Sequence, residues 1–179
     1  MPNLEAVVSH SPADSAELAA CGLSVEQWAN SPYPLAAMLL GSARVEFGWG
    51  PEAEQALRRG LLMTPHNPML AAEAGTALVM QKRFADVVVL ADGVLNSGET
   101  LEDKEHARLL RVRGYALVEL NRLDEAETSY RDSLRFDPGN PTAPEELEYL
   151  RQLREGGERV EGEVINTPPS QPVRPNDGT

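Results

Sequence analysis

A glycine, an alanine and a proline recur along this chain at fixed intervals. Gly41 is followed by Ala53 and Pro65, and Gly114 by Ala126 and Pro138. In both sets the alanine lies 12 residues after the glycine and the proline 24 after it. Between them, Gly75 stands 34 residues after Gly41, with Val87 and Glu99 in the alanine and proline places. A period of this length is one supersecondary unit that cannot bury its apolar face alone, so neighbouring copies must stack. Gly75 and Gly114 are 39 residues apart, so five extra residues enter between the second and third copies.

The anchors place helices in pairs. The first copy pairs 33–48 with 51–64, broken at "FGWGPE", where Pro51 opens a helix as its first residue. The second pairs 68–81 with 84–97, broken at "QKRF", and the third 101–120 with 123–136, broken at "NRLD". Each pair is an αα-hairpin. Val87 to Leu90 is β-prone, but its place in the repeat predicts a buried helix. Thr100 heads "TLED", a capping-box pattern, so the insertion predicts about one and a half extra turns opening the third copy's first helix. Glycine inside a helix costs about 1 kcal/mol against alanine. Close approach of helix axes offsets that cost if it buries one more Leu-sized side chain, worth about 1.5–3 kcal/mol. Leu57 and Tyr130, four residues beyond Ala53 and Ala126, are the expected fillers.

These intervals, with Leu40-Gly41 early and "LRFDPGN" late, resemble the tetratricopeptide repeat. The likeness covers Pro34 to Asn140 and is strongest in the third copy. Ala37 stands where the family usually has a large aromatic, and the second copy is degenerate. The resemblance implies an all-α, right-handed α-solenoid of three helical hairpins, 34–67, 68–106 and 107–140. An N-terminal helical extension, 1–33, would precede them, its Ala16, Leu18, Ala19, Leu23, Val25 and Trp28 available to cover the first hairpin or fold into the groove. Thr142 is the expected cap and Pro144 the opening residue of a C-terminal capping helix, 141–155, whose leucines give an apolar stripe. The Pro-rich remainder, 156–179, reads as a disordered tail, and its "VINTPPSQPV" is a candidate to lie in the groove until displaced.

In that family the first helix of each hairpin lines the concave side, where partners bind. Carried onto this chain, the groove takes Leu35, Met38, Ser42, Val45 and Glu46 from the first copy. Met69, Ala72, Thr76, Val79 and Met80 come from the second, and Arg108, Arg111, Tyr115, Val118 and Glu119 from the third. The terminal helix adds Glu145 and Tyr149. The face is methionine-rich at one end, which suits an apolar guest of varied shape. Arg108 and Arg111 at the other end are expected to hold a guest carboxylate or carbonyl. Domains of this family that clamp acidic chaperone tails use Lys and Asn, where this chain has Met38 and Ser42. Type III secretion chaperones of the translocator class, small and acidic with an apolar groove, are the alternative likeness.

Net charge is −12 with a pI near 4.7, which argues against nucleic acid and anionic membranes and suits a basic or apolar partner. No run approaches the roughly 20 apolar residues of a membrane span. The start carries no secretory pattern, so the expected compartment is the cytoplasm; the excess of Arg over Lys hints at a bacterial source. Cys21 is the only cysteine, with no basic neighbour to activate it. His10, His66 and His106 have no ligand spacing. No phosphate loop or calcium loop is present. The expectation is therefore a non-catalytic module with no cofactor and no metal, binding a protein or peptide; an enzyme using Cys21 or a histidine is the competing class.

Overall fold

The recurring glycines sit inside helices packed too closely for a side chain. In the computed structural model, which describes residues 30–157, seven α-helices and no strands are found among the described residues. They are α1 (Tyr33–Glu46), α2 (Gly50–Met63), α3 (Pro68–Met80), α4 (Phe84–Leu95), α5 (Asp103–Glu119), α6 (Leu123–Phe136) and α7 (Thr142–Arg154). Consecutive helices pack as hairpins, α1 with α2, α3 with α4, and α5 with α6. The first helices also touch one another, α1 against α3 and α3 against α5, and α7 covers α6. The architecture is an all-α helical-hairpin solenoid. One continuous core runs through it, from Val45 and Leu57 to Tyr130 and Leu150.

The close contacts follow the period, with one exception. A Cβ on Gly41 would collide with Leu57, and one on Gly114 would lie 2.9–3.1 Å from the Tyr130 ring. Leu57 and Tyr130 are each 16 residues beyond their glycine, so the two contacts are equivalent. In the middle copy that place is Ala91, too small to fill the gap. Val112 of the next hairpin fills it instead, 2.7 Å from where a Gly75 Cβ would be.

The corners repeat as well. Gly48, Lys82 and Asn121 each lie seven residues after their glycine, and all three have positive φ, 75°, 57° and 59°. The next amide in each corner bonds back over the helix end: Trp49 to Arg44, Arg83 to Leu78 and Arg122 to Leu117, at 2.8–3.0 Å. This Schellman geometry satisfies orphan carbonyls and turns the chain sharply.

The helix boundaries fall within a few residues of the expected ones. Val87 is fully buried inside α4, as its place in the repeat implied. Two caps differ. Thr100 is exposed coil, and α5 begins at Asp103 after Glu102, so the insertion gives α5 about one extra turn and the rest goes to the linker. Thr142 is the first residue of α7 rather than its cap; Asn140 Oδ1 accepts the Thr142 amide at 3.0 Å. Asn140 does that work because its short amide reaches an orphan N–H two residues on. Gly156, at φ 90°, ends α7. The proposed N-terminal helices, Cys21, His10 and the tail beyond Gly157 lie outside the described residues.

Candidate functional site

The row of first helices, α1, α3 and α5, presents the candidate groove. Its residues divide by burial. Leu35 is 56% exposed, whereas Met38, Ser42, Met69, Thr76, Val79, Met80 and Tyr115 are half-buried. Val45 and Val118 are 6% and 3% exposed and Ala72 is fully buried. These three belong to the core between hairpins, because one helix face must serve both the groove and the neighbouring helix. Met80 is partly in the same role, its Cβ close to the Gly50 backbone of α2. Met69 is half-buried, on the turn that opens α3. The Thr76 hydroxyl donates to the Ala72 carbonyl at 3.1 Å, so it is satisfied by its own helix.

The two arginines expected to grip a guest are already paired. Arg108 forms an ion pair with Glu73 of α3, which is only 9% exposed. Arg111 donates to Asp137 at 3.1 Å, with both side chains largely covered. Tyr115 closes this end of the face. Its ring lies 6.4 Å from Phe84, and burial, with Glu119, Glu146 and Tyr149 nearby, pushes its phenol up. Glu146, not Glu145, is the α7 carboxylate turned inward: it accepts from Tyr130 Oη at 3.3 Å, while Glu145 is exposed. Burial holds the Glu146 carboxyl above the usual carboxylate range; the Tyr130 hydrogen bond opposes this and Glu145 and Glu119 reinforce it.

Further carboxylate–arginine clips join successive hairpins. Glu54, 8% exposed, accepts from Arg58 at 2.7 Å, Gln81 at 2.7 Å and Arg83 at 2.8 and 2.9 Å. Asp92 of α4 holds Arg113 of α5 at 2.6 Å, and Asp124 of α6 holds Arg154 of α7 at 2.6 Å. One signal for these was present in the sequence. Glu54-x-x-x-Arg58 and Glu127-x-x-x-Arg131 stand at the same place after Gly41 and Gly114, and each glutamate also reaches an arginine of the next unit.

His66 and His106 serve different places. His106 stacks on Phe136 with ring centroids 3.9 Å apart, and burial lowers its pKa against the pull of Asp103 and Asp132. His66 lines a cavity of about 390 Å³ between the α2–α3 corner and the linker before α5. Among the described residues, no group of three or more His, Cys, Asp or Glu could hold a metal ion. Among them, too, no helix is long and apolar enough to cross a membrane.

No family model matches the sequence. No curated protein matches it either. Solved structures do. The first TPR domain of the human RPAP3 protein superposes with a TM-score of 0.62 at 24% identity, covering 70% of this chain and 94% of that one. The chain has the tetratricopeptide-repeat fold. A similar match is the first TPR of Spaghetti (RPAP3) bound to the HSP90 peptide SRMEEVD, with a TM-score of 0.63 at 24% identity over 70% of this chain and 96% of that one. The second TPR domain of human RPAP3, in complex with the HSP70 peptide SGPTIEEVD, gives 0.57 at 20% identity over 66% and 98%. In tetratricopeptide-repeat terms, α1, α3 and α5 are the first helices of successive units, and α7 follows the last.

Proposed function

We propose that the chain is a non-catalytic interaction module that holds an apolar segment of a protein partner on the face of α1, α3 and α5, in the manner of an adaptor, assembly factor or chaperone. In this reading the hairpins 34–67, 68–106 and 107–140 act as one binding unit and 141–155 is its end cap. The site comprises Leu35, Met38, Ser42, Met69, Thr76, Val79, Met80 and Tyr115. No cofactor is required.

The observation that carries the reading is the half-exposed apolar row beside arginines that already hold carboxylates of their own. A helix or extended segment with apolar side chains at regular spacing fits such a row, and methionine adapts to its shape. The RPAP3 domains bound to HSP90 and HSP70 peptides support peptide binding by this fold. Their acidic peptides suit this chain poorly. Met38 and Ser42 offer no charge, Arg108 and Arg111 are paired to Glu73 and Asp137, and a net charge of −12 repels an anion. The partner segment is therefore apolar or basic.

Selection of displayed amphipathic helices against the full chain, followed by calorimetry with the selected peptides, tests this. Met69→Glu should weaken them at least roughly tenfold, about 1.4 kcal/mol. The peptide SRMEEVD should show no binding up to about 1 mM. Tight SRMEEVD binding, or helix binding indifferent to Met69→Glu, overturns the reading.

A further inference from the structure

The α5–α7 end of the groove sets carboxylates among aromatic rings. Tyr115 and Glu119 stand four residues apart on α5, and Glu146 and Tyr149 three apart on α7, so each pair shares one helix face. All four side chains are half-buried. The two faces come together. The Tyr115 phenol has Glu119, Glu146 and Tyr149 close by, and the buried Tyr130 donates to Glu146 at 3.3 Å. Phe84 braces the Tyr115 ring from α4, with centroids 6.4 Å apart. α7 packs chiefly on α6, and these side chains lie between it and α5.

The inward carboxylate at this end lacks a countercharge. Glu54, Glu73, Asp92 and Asp137 each hold an arginine. Glu146 accepts from the neutral Tyr130 hydroxyl, and among the described residues no Lys or Arg pairs with it or with the exposed Glu145 beside it. Arg111, one turn before Tyr115 on α5, is held by Asp137. A half-buried carboxylate without a cation keeps part of its desolvation cost. Burial, reinforced by Glu145 and Glu119, raises the Glu146 pKa accordingly. These carboxylates do not converge as a metal site requires. Tyrosine faces beside a carboxylate suit an organic cation, which a ring attracts within about 6 Å of its centroid and a carboxylate pairs.

We infer that this end of the groove seats one basic side chain of the guest, lysine or arginine, with its charged head against Glu146 and beside the Tyr115 and Tyr149 rings. The inference rests on the groove reading and gives it a polarity. Apolar side chains of the guest lie along α1 and α3, and the basic one lies at α5 and α7.

Calorimetry on the full chain tests this, with displayed amphipathic helices selected for binding as the probes. The selected helices should carry a basic residue near one end of their apolar spacing. Replacing that residue with glutamine should weaken binding to the wild-type chain roughly tenfold, but binding to Glu146→Gln by no more than about twofold. Glu146→Gln keeps a carbonyl acceptor for Tyr130, so the fold is retained. Tyr149→Leu, which keeps an apolar side chain without the ring, should weaken the basic helix severalfold and leave its glutamine version unchanged. Glu148→Gln removes an exposed charge from the same helix and should leave the difference between the two helices intact. Selected helices without a basic residue, a difference that survives Glu146→Gln, or one lost equally with Glu148→Gln would overturn the inference. Where one of these results appears while Met69→Glu still weakens binding, the groove reading stands and only the basic seat falls. Where no helix is retained, or Met69→Glu has no effect, the groove reading falls and the seat falls with it.

Discussion

Replacing Glu54 with alanine should cost far more than removing a surface carboxylate. Glu54 is 8% exposed and accepts from three side chains, Arg58 of its own helix and Gln81 and Arg83 of the next hairpin. Not all of these suffer equally when it goes. Gln81 keeps a bond to the Ala77 carbonyl at 3.1 Å, and Arg83, a third exposed, keeps Asp86 at 2.7 Å. Arg58 is left with a buried charge: its side chain is 12% exposed and its Nη1 already lacks a partner. Breaking a buried pair typically costs 3–5 kcal/mol. The exposure of Arg83 puts this case at the low end, about 3 kcal/mol. Arg58→Met in the same chain removes the stranded charge and should recover at least about 1 kcal/mol of it. Urea unfolding followed by circular dichroism at pH 7 measures both. Burial raises the Glu54 pKa, but the bonds from Gln81 and Arg58 and the charges of Arg58 and Arg83 outweigh it, so the carboxyl sits below 4.5. Its stabilisation is therefore present above pH 4.5 and fades as pH falls through the lowered value, and the gap between wild type and Glu54→Ala should close in acid. A loss under about 1 kcal/mol at pH 7, or a double variant no better than the single, would refute the view that this carboxylate clips two hairpins together.

Gly114→Ala gains about 1 kcal/mol of helix propensity but forces a methyl against the buried Tyr130 ring, so a net loss of about 1–2 kcal/mol is expected in the same assay. Glu146→Gln should raise the melting temperature at pH 7 and do less at pH 4. The Glu146 pKa is raised in the folded chain, so its contribution is full below 4.5 and is lost as pH rises through the raised value.

Sequence spacing was enough for the hairpins because each anchor has one physical job. Gly41 and Gly114 admit a large residue 16 positions on, and the corner seven positions on must be left-handed, which Gly48 and Asn121 allow at little strain. Lys82 meets the same demand without a sequence cue, and only the period reveals it. The Gly75 contact was not readable, because Val112, the residue that fills it, comes from another hairpin and stands in only where Ala91 is small. The candidate site was legible as a face but not residue by residue. Val45 and Val118 stand four residues after their glycines as Val79 does, yet they are buried in the core while Val79 is half-exposed. Arg108 and Arg111 looked available because their partners, Glu73 and Asp137, lie 35 and 26 residues away on other elements.

On the proposed function, the clips that hold the stack also bear on what it can hold. Glu54 with Arg83, Glu73 with Arg108, Asp92 with Arg113 and Asp124 with Arg154 each tie one unit to the next. Four arginines are thereby taken up by joints between units in a chain whose formal charge is −12. What they leave beside the groove is apolar surface under a negative long-range field. On the proposed reading, such a surface would draw basic segments and keep acidic ones away before any contact forms, and then discriminate by the fit of apolar side chains. Recruiting an acidic peptide would require freeing Arg108 or Arg111 from its own carboxylate. Freeing Arg108 would strand Glu73, nearly buried in α3, and so weaken the junction between the second and third hairpins, and freeing Arg111 would strand Asp137. On the proposed reading, fold and specificity are coupled through the same few ion pairs, and a change of ligand class would be opposed by the stability of the solenoid itself.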